Sequence, residues 1–352
     1  LAAITFAEIE RSRRPIAYWL IATAAMTLLM VVVGGVTRLT LSGLSITEWH
    51  PVDGVLPPLN DAAWAAAFEK YQQIPEYREI HLGMSLDAFK GIYFWEYLHR
   101  LLGRLTGLVG IGCALVAWPR VSAREWPRYL AVPLLVAAQG LLGWYMVESG
   151  LEARTSVSQY RLTAHLATAL VLYGYCIWNA AGILTVVPAR IDAAAQRLRP
   201  AAVAVLILVA ITILAGGFTA GTHAGLIYNT FPLMDGRLVP AGYFGLSPWW
   251  INPLENPTAI QFDHRVLAMS TVAATGILWL LARRVAGGKL RLLANLALTL
   301  VLCQASLGIA TLLFAVPVPL AAAHQTGAVL LLTAALLTLH ATRPTRARAD
   351  AR

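Results

Sequence analysis

The sequence predicts an all-α membrane protein: eight transmembrane helices forming two tandem four-helix bundles related by a pseudo-two-fold axis. Three observations predict it. The first is composition. Of 352 residues, 58% are hydrophobic and only 13% charged, with a mean hydropathy of +0.64, whereas soluble chains carry about 25% charged residues. The second is a set of eight apolar stretches, each close to the roughly 20 residues a helix needs to cross a bilayer. The third is an internal repeat, in which polar residues of the first half return in the second.

The first stretch, 16–36, follows Arg11, Arg13 and Arg14. Its apolar run is too long for a signal-peptide core and no A-x-A site follows it, so it reads as a retained span behind a 1–15 tail. A long loop, 37–91, comes next. Within it, 61–73 reads as a surface helix capped by Asn60, with Trp64, Phe68 and Tyr71 on one face. Spans 92–118, 129–148 and 161–186 complete an N-terminal half, 16–186. A basic linker, 187–200, leads to a C-terminal half, 201–341, with spans 201–222, 260–282, 292–315 and 320–341. A second long loop, 223–259, separates the first two of these, and 342–352 is a tail.

Charge orients the chain. Seventeen of the 27 Lys and Arg residues fall on one side of this arrangement. They lie in the N-terminal tail, the 119–128 loop (Arg120, Arg124, Arg128), the linker (Arg190, Arg197, Arg199), the 283–291 connection and the C-terminal tail. Positive loops face the cytoplasm. The expectation is a multi-pass protein of the bacterial inner membrane, with both termini cytoplasmic and the two long loops outside. The net charge of +9 is thereby accounted for without nucleic acid. Cys113, Cys176 and Cys303 each fall inside a span, where thiols pack as small hydrophobes. No cysteine occupies a loop, so no disulfide framework is indicated.

Repeats decide how such a chain is divided. Gly34-Gly35-Val36-Thr37 matches Gly216-Gly217-Phe218-Thr219, and His99-Arg100 matches His264-Arg265. Leu135–Gly143, with Gln139, matches Leu300–Gly308, with Gln304, and His165 matches His324. Four spans per half is an even number, so the repeat is parallel. The four histidines then sit near the outer ends of spans two, four, six and eight. Ionisable groups inside spans are costly and mark function. A tetrahedral metal site needs four close ligands, and each half supplies two. Two imidazoles on facing helices suit a haem iron instead. Gly103, Gly107 and Gly110 after His99 leave room for a flat ring. Arg100, Arg104 and Arg265 are candidate partners for haem propionates. The halves differ in one respect: Glu96, three residues before His99, is replaced by Gln261 before His264. His50, His81 and His223 read as solvated side chains. The residues alone leave two other functions open. One is a dihaem b-type membrane cytochrome for quinol-linked electron transfer. The other is a haem-free transporter, although transporters place broken helices at mid-membrane.

Several motifs carry a family resemblance. They are Thr37-Arg38-Leu39-Thr40, Ser42-Gly43-Leu44-Ser45, Trp49, Pro51-Val52, Pro57-Pro58-Leu59, Pro75-Glu76-Tyr77, Phe89-Lys90 and Glu96-Tyr97-Leu98-His99-Arg100. In the second half they are Ala224–Met234, Phe262-Asp263-His264-Arg265 and His324-Gln325-Thr326-Gly327. Over roughly 15–340 the chain resembles haem A synthase. The resemblance implies oxidation of the C8 methyl of haem O to a formyl group, giving haem A for cytochrome c oxidase. It implies a haem B cofactor on His264 and His324 as iron ligands, a substrate site at His99 and His165, and a catalytic role for Glu96. The first outer loop lacks the cysteine pair of Gram-positive members, so the chain is similar to the type 2 branch of proteobacteria and mitochondria. The partners expected on this basis are haem O, membrane lipid, a haem O synthase, an electron donor and further copies of the chain, with no nucleic acid.

Overall fold

The structure, a computed structural model, describes residues 6–49, 53–153, 155–185, 193–285 and 287–343. Its helices in chain order are α1 Phe6–Leu39, α2 Asp61–Tyr71, α3 Pro75–Glu79, α4 Leu86–Ala117, α5 Pro127–Ala153 and α6 Gln159–Leu184. They continue with α7 Ala193–Arg197, α8 Arg199–Gly221, α9 Asn252–Glu255, α10 Pro257–Val285, α11 Gly288–Leu313 and α12 Val318–Ala341. Among the described residues there is no strand beyond one isolated bridge, Met234–Arg237. Eight helices are long and apolar enough to cross a membrane: α1, α4, α5, α6, α8, α10, α11 and α12. Each coincides with one of the eight apolar stretches, so the protein is a multi-pass membrane protein.

The helix ends depart from the apolar stretches for local reasons. The 1–15 segment was expected as a tail, yet α1 runs back to Phe6. Arg13 there pairs with Glu125, Nη2 to Oε2 at 2.8 Å, which ties the start of α1 to the α4–α5 connection. Helix α4 begins at Leu86, six residues ahead of its apolar stretch, where Ser85 accepts from the Ala88 amide at 3.2 Å. Cys113 and Cys176 are buried as expected, but Cys303 is exposed on α11. On a membrane helix an outward thiol meets lipid, which does not penalise a small apolar group.

Within the first half, α1 packs on α4 and α6, and α5 closes the ring between them. The second half repeats this order, with α8 on α10 and α12, and α11 closing the ring. The halves meet where α6 touches α8 and α12 and where α1 touches α12. The buried core there includes Leu20, Leu172, Val205 and Leu332.

The first long loop is a folded layer. Helix α2 is capped as expected, the Ala63 amide donating to Asn60 Oδ1 at 2.8 Å. Phe68 and Tyr71 stack on Phe89 of α4, at 5.0 and 5.2 Å between ring centres, and Trp64 meets the same ring edge-on at 6.4 Å. Phe89 is fully buried, and burial of such a ring stabilises by roughly 1.5–3 kcal/mol.

Candidate functional site

The four histidines stand on α4, α6, α10 and α12, which run in parallel and begin at the face carrying the long loops. Each ring rests on a glycine of the preceding membrane helix. A methyl group at Gly34 would lie 2.9 Å from His99 Nε2, and one at Gly143 3.3 Å from His165 Cε1. The equivalent distances are 3.2 Å from Gly216 to His264 Cε1 and 2.7 Å from Gly308 to His324 Cε1. Any side chain there would occupy the ring's space. The matched glutamines also act alike. Gln139 donates to the His165 carbonyl at 3.2 Å and to Thr168 Oγ1. Gln304 donates to the His324 carbonyl at 2.8 Å, with its Nε2 3.0 Å from His324 Nδ1. The glycines first read as making room, Gly103, Gly107 and Gly110, lie against no histidine ring.

His264 and His324 face each other with ring centres 6.5 Å apart and planes at 89°. Two imidazole nitrogens bound to one metal at about 2.0 Å each, with ring centres about 1.1 Å behind them, would place the centres about 6.2 Å apart. The pair therefore fits two axial ligands of one iron. Nδ1 of His165 is buried without a hydrogen-bond partner, which suits a ring able to bind a further group. Among the described residues no three His, Cys, Asp or Glu side chains gather as a metal-holding group.

Next to the histidines, each half clasps its long loop. Arg100 donates to the carbonyls of Ile46 and Glu48, both at 2.7 Å, and lies 5.7 Å from the Trp49 ring centre. Arg265 does the same to Tyr228 and Thr230, both at 2.8 Å. These guanidinium groups, read from sequence as candidate propionate partners, are thus engaged with loop backbone. Nε of Arg265 remains buried and unpartnered. Arg104 sits one turn further along α4.

Glu96 and Gln261 occupy matching buried positions with opposite hydrogen-bond roles. Glu96 Oε2 accepts from Ser45 Oγ and the Ile46 amide, both at 2.8 Å, and Oε1 pairs with Arg100 at 2.6 Å. Gln261 donates to the Tyr228 carbonyl at 3.1 Å. Among the described residues the first half thus has a buried carboxylate where the second has an amide, while the second half's Asp263, two residues on, is only half-buried and bonded to Tyr243.

Above Glu96 the loop layer contains a buried polar triad. Tyr71 Oη lies 2.9 Å from Glu76 Oε1 and 2.6 Å from His81 Nδ1. Burial pushes Glu76 up to about 7; the nearby Glu96 charge adds to this and the Tyr71 hydrogen bond opposes it. Burial likewise raises Tyr71 and lowers His81. The reading of His81 as a solvated side chain is corrected here: its side chain is 15% exposed and bonded to Tyr71. Residues ten apart meet because α3 folds back over α2, a turn that no hydrophobic period marks. His223 is exposed, as expected, and His50 lies outside the described residues.

The chain has recognisable relatives. Residues 17–336 match the model of the family described as COX15-CtaA, cytochrome oxidase assembly protein. A haem A synthase of Rhodospirillum centenum is 48% identical over 334 residues, covering 94% of this chain and 89% of the relative. One from Nitrosomonas eutropha is 46% identical over 331 residues, covering 93% of each chain. One from Nitrosospira multiformis is 48% identical over 338 residues, covering 94% of each.

Proposed function

The chain belongs to the COX15-CtaA family of cytochrome oxidase assembly proteins, and from that premise we propose that it oxidises the C8 methyl of haem O to a formyl group, giving haem A. The observation that carries the reading is the facing imidazole pair of His264 and His324, 6.5 Å between ring centres, repeated in position by His99 and His165. In this reading His264 and His324 hold haem B, which supplies one-electron transfer when bound. His99 and His165 hold haem O as substrate. The long-loop face is extracytoplasmic, the membrane is the inner membrane, and both termini are cytoplasmic. Haem O arrives from a haem O synthase; taking its methyl to a formyl group removes four electrons, which dioxygen or another oxidant must accept, with the formyl oxygen coming from dioxygen or water, and a separate electron donor serves the bound haem.

The chain's own residues then divide the work. The histidine pairs would hold the haems between helices, and the glycine seats fix the imidazole rings. His99 and His165 would hold the substrate through its iron, so the reacting methyl would be served by a side chain rather than by the metal. Glu96 is the group available for this. Its two oxygens are held by Ser45, Ile46 and Arg100, which keeps a carboxylate oriented inside an apolar bundle. It accepts the proton released on oxidation or stabilises positive charge at the reacting carbon. A dihaem cytochrome would share the four histidines but leaves the one-sided carboxylate without a task. Propionate contacts from Arg104 and Arg265 are part of the same proposal.

The test is haem extraction and mass identification from the wild type and Glu96→Gln. The wild type should yield haem B with haem O or haem A. Glu96→Gln, which copies Gln261, should keep haem B, accumulate haem O and make little haem A. Near-normal haem A from that variant would remove Glu96 from the chemistry. Loss of haem B from His264→Ala checks the cofactor assignment, and an intact haem B spectrum there would reverse it.

A further inference from the structure

We propose that His81, Tyr71 and Glu76 form a proton wire between the long-loop surface and the carboxylate of Glu96. The proposal rests on the reading of Glu96 as the acid–base group of the substrate half.

The hydrogen bonding is the first argument. Tyr71 has one hydroxyl proton and two strong partners, Glu76 Oε1 at 2.9 Å and His81 Nδ1 at 2.6 Å. It cannot donate to both. When Glu76 is a carboxylate, Tyr71 donates to it and accepts from His81 Nδ1–H. When Glu76 carries a proton, it donates to Tyr71, and Tyr71 donates to His81 Nδ1. The two arrangements interconvert by a relay. The Glu76 O–H bond breaks as a new Tyr71 O–H forms, the original Tyr71 O–H breaks, and an Nδ1–H bond forms on His81. The imidazolium then loses its Nε2 proton to water. No electrons change owner, and one proton has passed from Glu76 to water; the leg from Glu96 to Glu76 takes a bridging water as carrier, since among the described residues no side chain hydrogen-bonds both carboxylates.

The second argument is the gradient of exposure. Tyr71 is 0% and Glu76 3% exposed, whereas the His81 side chain is 15% exposed. The triad runs from a dry interior to a wet rim. An apolar layer gains nothing from burying three polar side chains in this order, because each must be fully satisfied to avoid a penalty.

The third argument is position. Tyr71 stacks on Phe89 and shares its apolar cluster with Leu44. Leu44 precedes Ser45, whose hydroxyl binds Glu96 at 2.8 Å. Phe89 stands seven residues before Glu96 on α4, about 10 Å along the axis. The Glu96 charge reaches both Tyr71 and Glu76. Other charges on the packed elements are turned to one another: Lys70 pairs with Glu48 at 2.6 Å, and Lys90 with Asp87 at 3.4 Å. Arg78 and Glu79 on α3 and Glu148 on α5 are exposed. A Glu76 titrating near neutrality and a His81 that gives up its proton readily suit a relay. The second half shows a Tyr243–Asp263 contact at 2.8 Å but no histidine beyond it, and Gln261 in place of Glu96.

Membranes containing the full chain are given haem O, and haem A formation is followed from pH 5.5 to 8.5. Tyr71→Phe keeps the ring and removes only the hydroxyl. It should slow haem A formation at least about tenfold and change the pH profile, with the haem at His264 and His324 spectrally unchanged. His81→Gln, at the rim, should be slowed too, and added imidazole should restore its rate. Infrared spectra of the wild type should show a protonated carboxyl band that titrates near neutrality, disappears in Glu76→Gln and shifts in Tyr71→Phe. A wild-type rate and profile in Tyr71→Phe would overturn the wire, as would slowing of both variants with unchanged profiles and no rescue. Absence of haem A from the wild type would overturn the reading beneath it.

Discussion

The glycines that face the imidazole rings carry no reactive group, yet they set where each ring sits, because a side chain on the facing helix would take the ring's place. Their spacing makes a graded prediction. A methyl at Gly308 would stand 2.7 Å from His324, closer than real carbon contacts allow, whereas one at Gly216 would stand 3.2 Å from His264. Gly308→Ala should therefore displace its histidine and lower the haem B content markedly, while Gly216→Ala should retain more of it. Haem per protein, measured by pyridine haemochrome, ranks the two. Equal and full occupancy in both would show that the seats do not constrain the rings. The histidines, Gln139, Gln304 and the two glycine pairs were all legible as repeat markers. What the repeat did not reveal was that glycines on one helix serve histidines on the next, because a sequence gives no rotation of one helix about another. The Tyr71–Glu76–His81 triad escaped for a related reason, since its members meet only through the reversal between α2 and α3.

At the scale of elements, an arginine clasps each long loop to the bundle beside the Glu96 and Gln261 contacts, and the two clasps differ in what lies beneath. Arg100 joins Ile46 and Glu48 to α4 and also neutralises Glu96. Arg265 joins Tyr228 and Thr230 to α10 above an uncharged Gln261. Arg100→Leu leaves a buried carboxylate without its cation, which costs about 3–5 kcal/mol. Arg265→Leu takes the donor from the exposed Thr230 carbonyl and one of two donors from the Tyr228 carbonyl, which Gln261 still serves, and costs only about 0.5–1.5 kcal/mol. Hydrogen exchange should rise more over the first loop in Arg100→Leu than over the second in Arg265→Leu. Adding Glu96→Gln to Arg100→Leu should recover part of the loss, because it removes the stranded charge. A double variant no more protected than Arg100→Leu alone would show that the clasp works through the loop carbonyls only. Helix α2 was legible down to its cap because its aromatic face has the helical period. The clasps were not, since an arginine beside a histidine in a haem-like bundle points equally to a propionate.

Across the whole molecule, the two halves are joined through the residues that flank the histidines. In each glycine pair, the first member seats a histidine of its own half, Gly34 under His99 and Gly216 under His264, while the second faces the other half. Gly35 lies against Gln325, the neighbour of His324, and Gly217 lies against Thr163 and Leu166, the latter the neighbour of His165. These contacts fall at matching positions of the two halves, and they differ in polarity. Gln325 Nε2 donates to the Val31 carbonyl at 2.8 Å, one turn before Gly35, whereas Leu166 offers no donor. The amide thus fastens the helix of His324 to the helix that seats His99. The spans themselves were readable from hydrophobic length, but this junction depends on helix faces that the sequence leaves undetermined. Gln325→Leu copies the apolar side of the junction and touches no proposed iron. Both haems should stay bound, because neither ligand pair is altered. The low-spin resonance of the haem at His99 and His165 should shift nonetheless, since Gly34 and Gly35 move with α1 once the amide no longer holds it. Electron paramagnetic resonance of the purified variant separates the two haems by their g-values. A shift confined to the haem at His264 and His324 would mean that Gln325 acts only on its sequence neighbour, and that the halves are positioned by apolar packing alone.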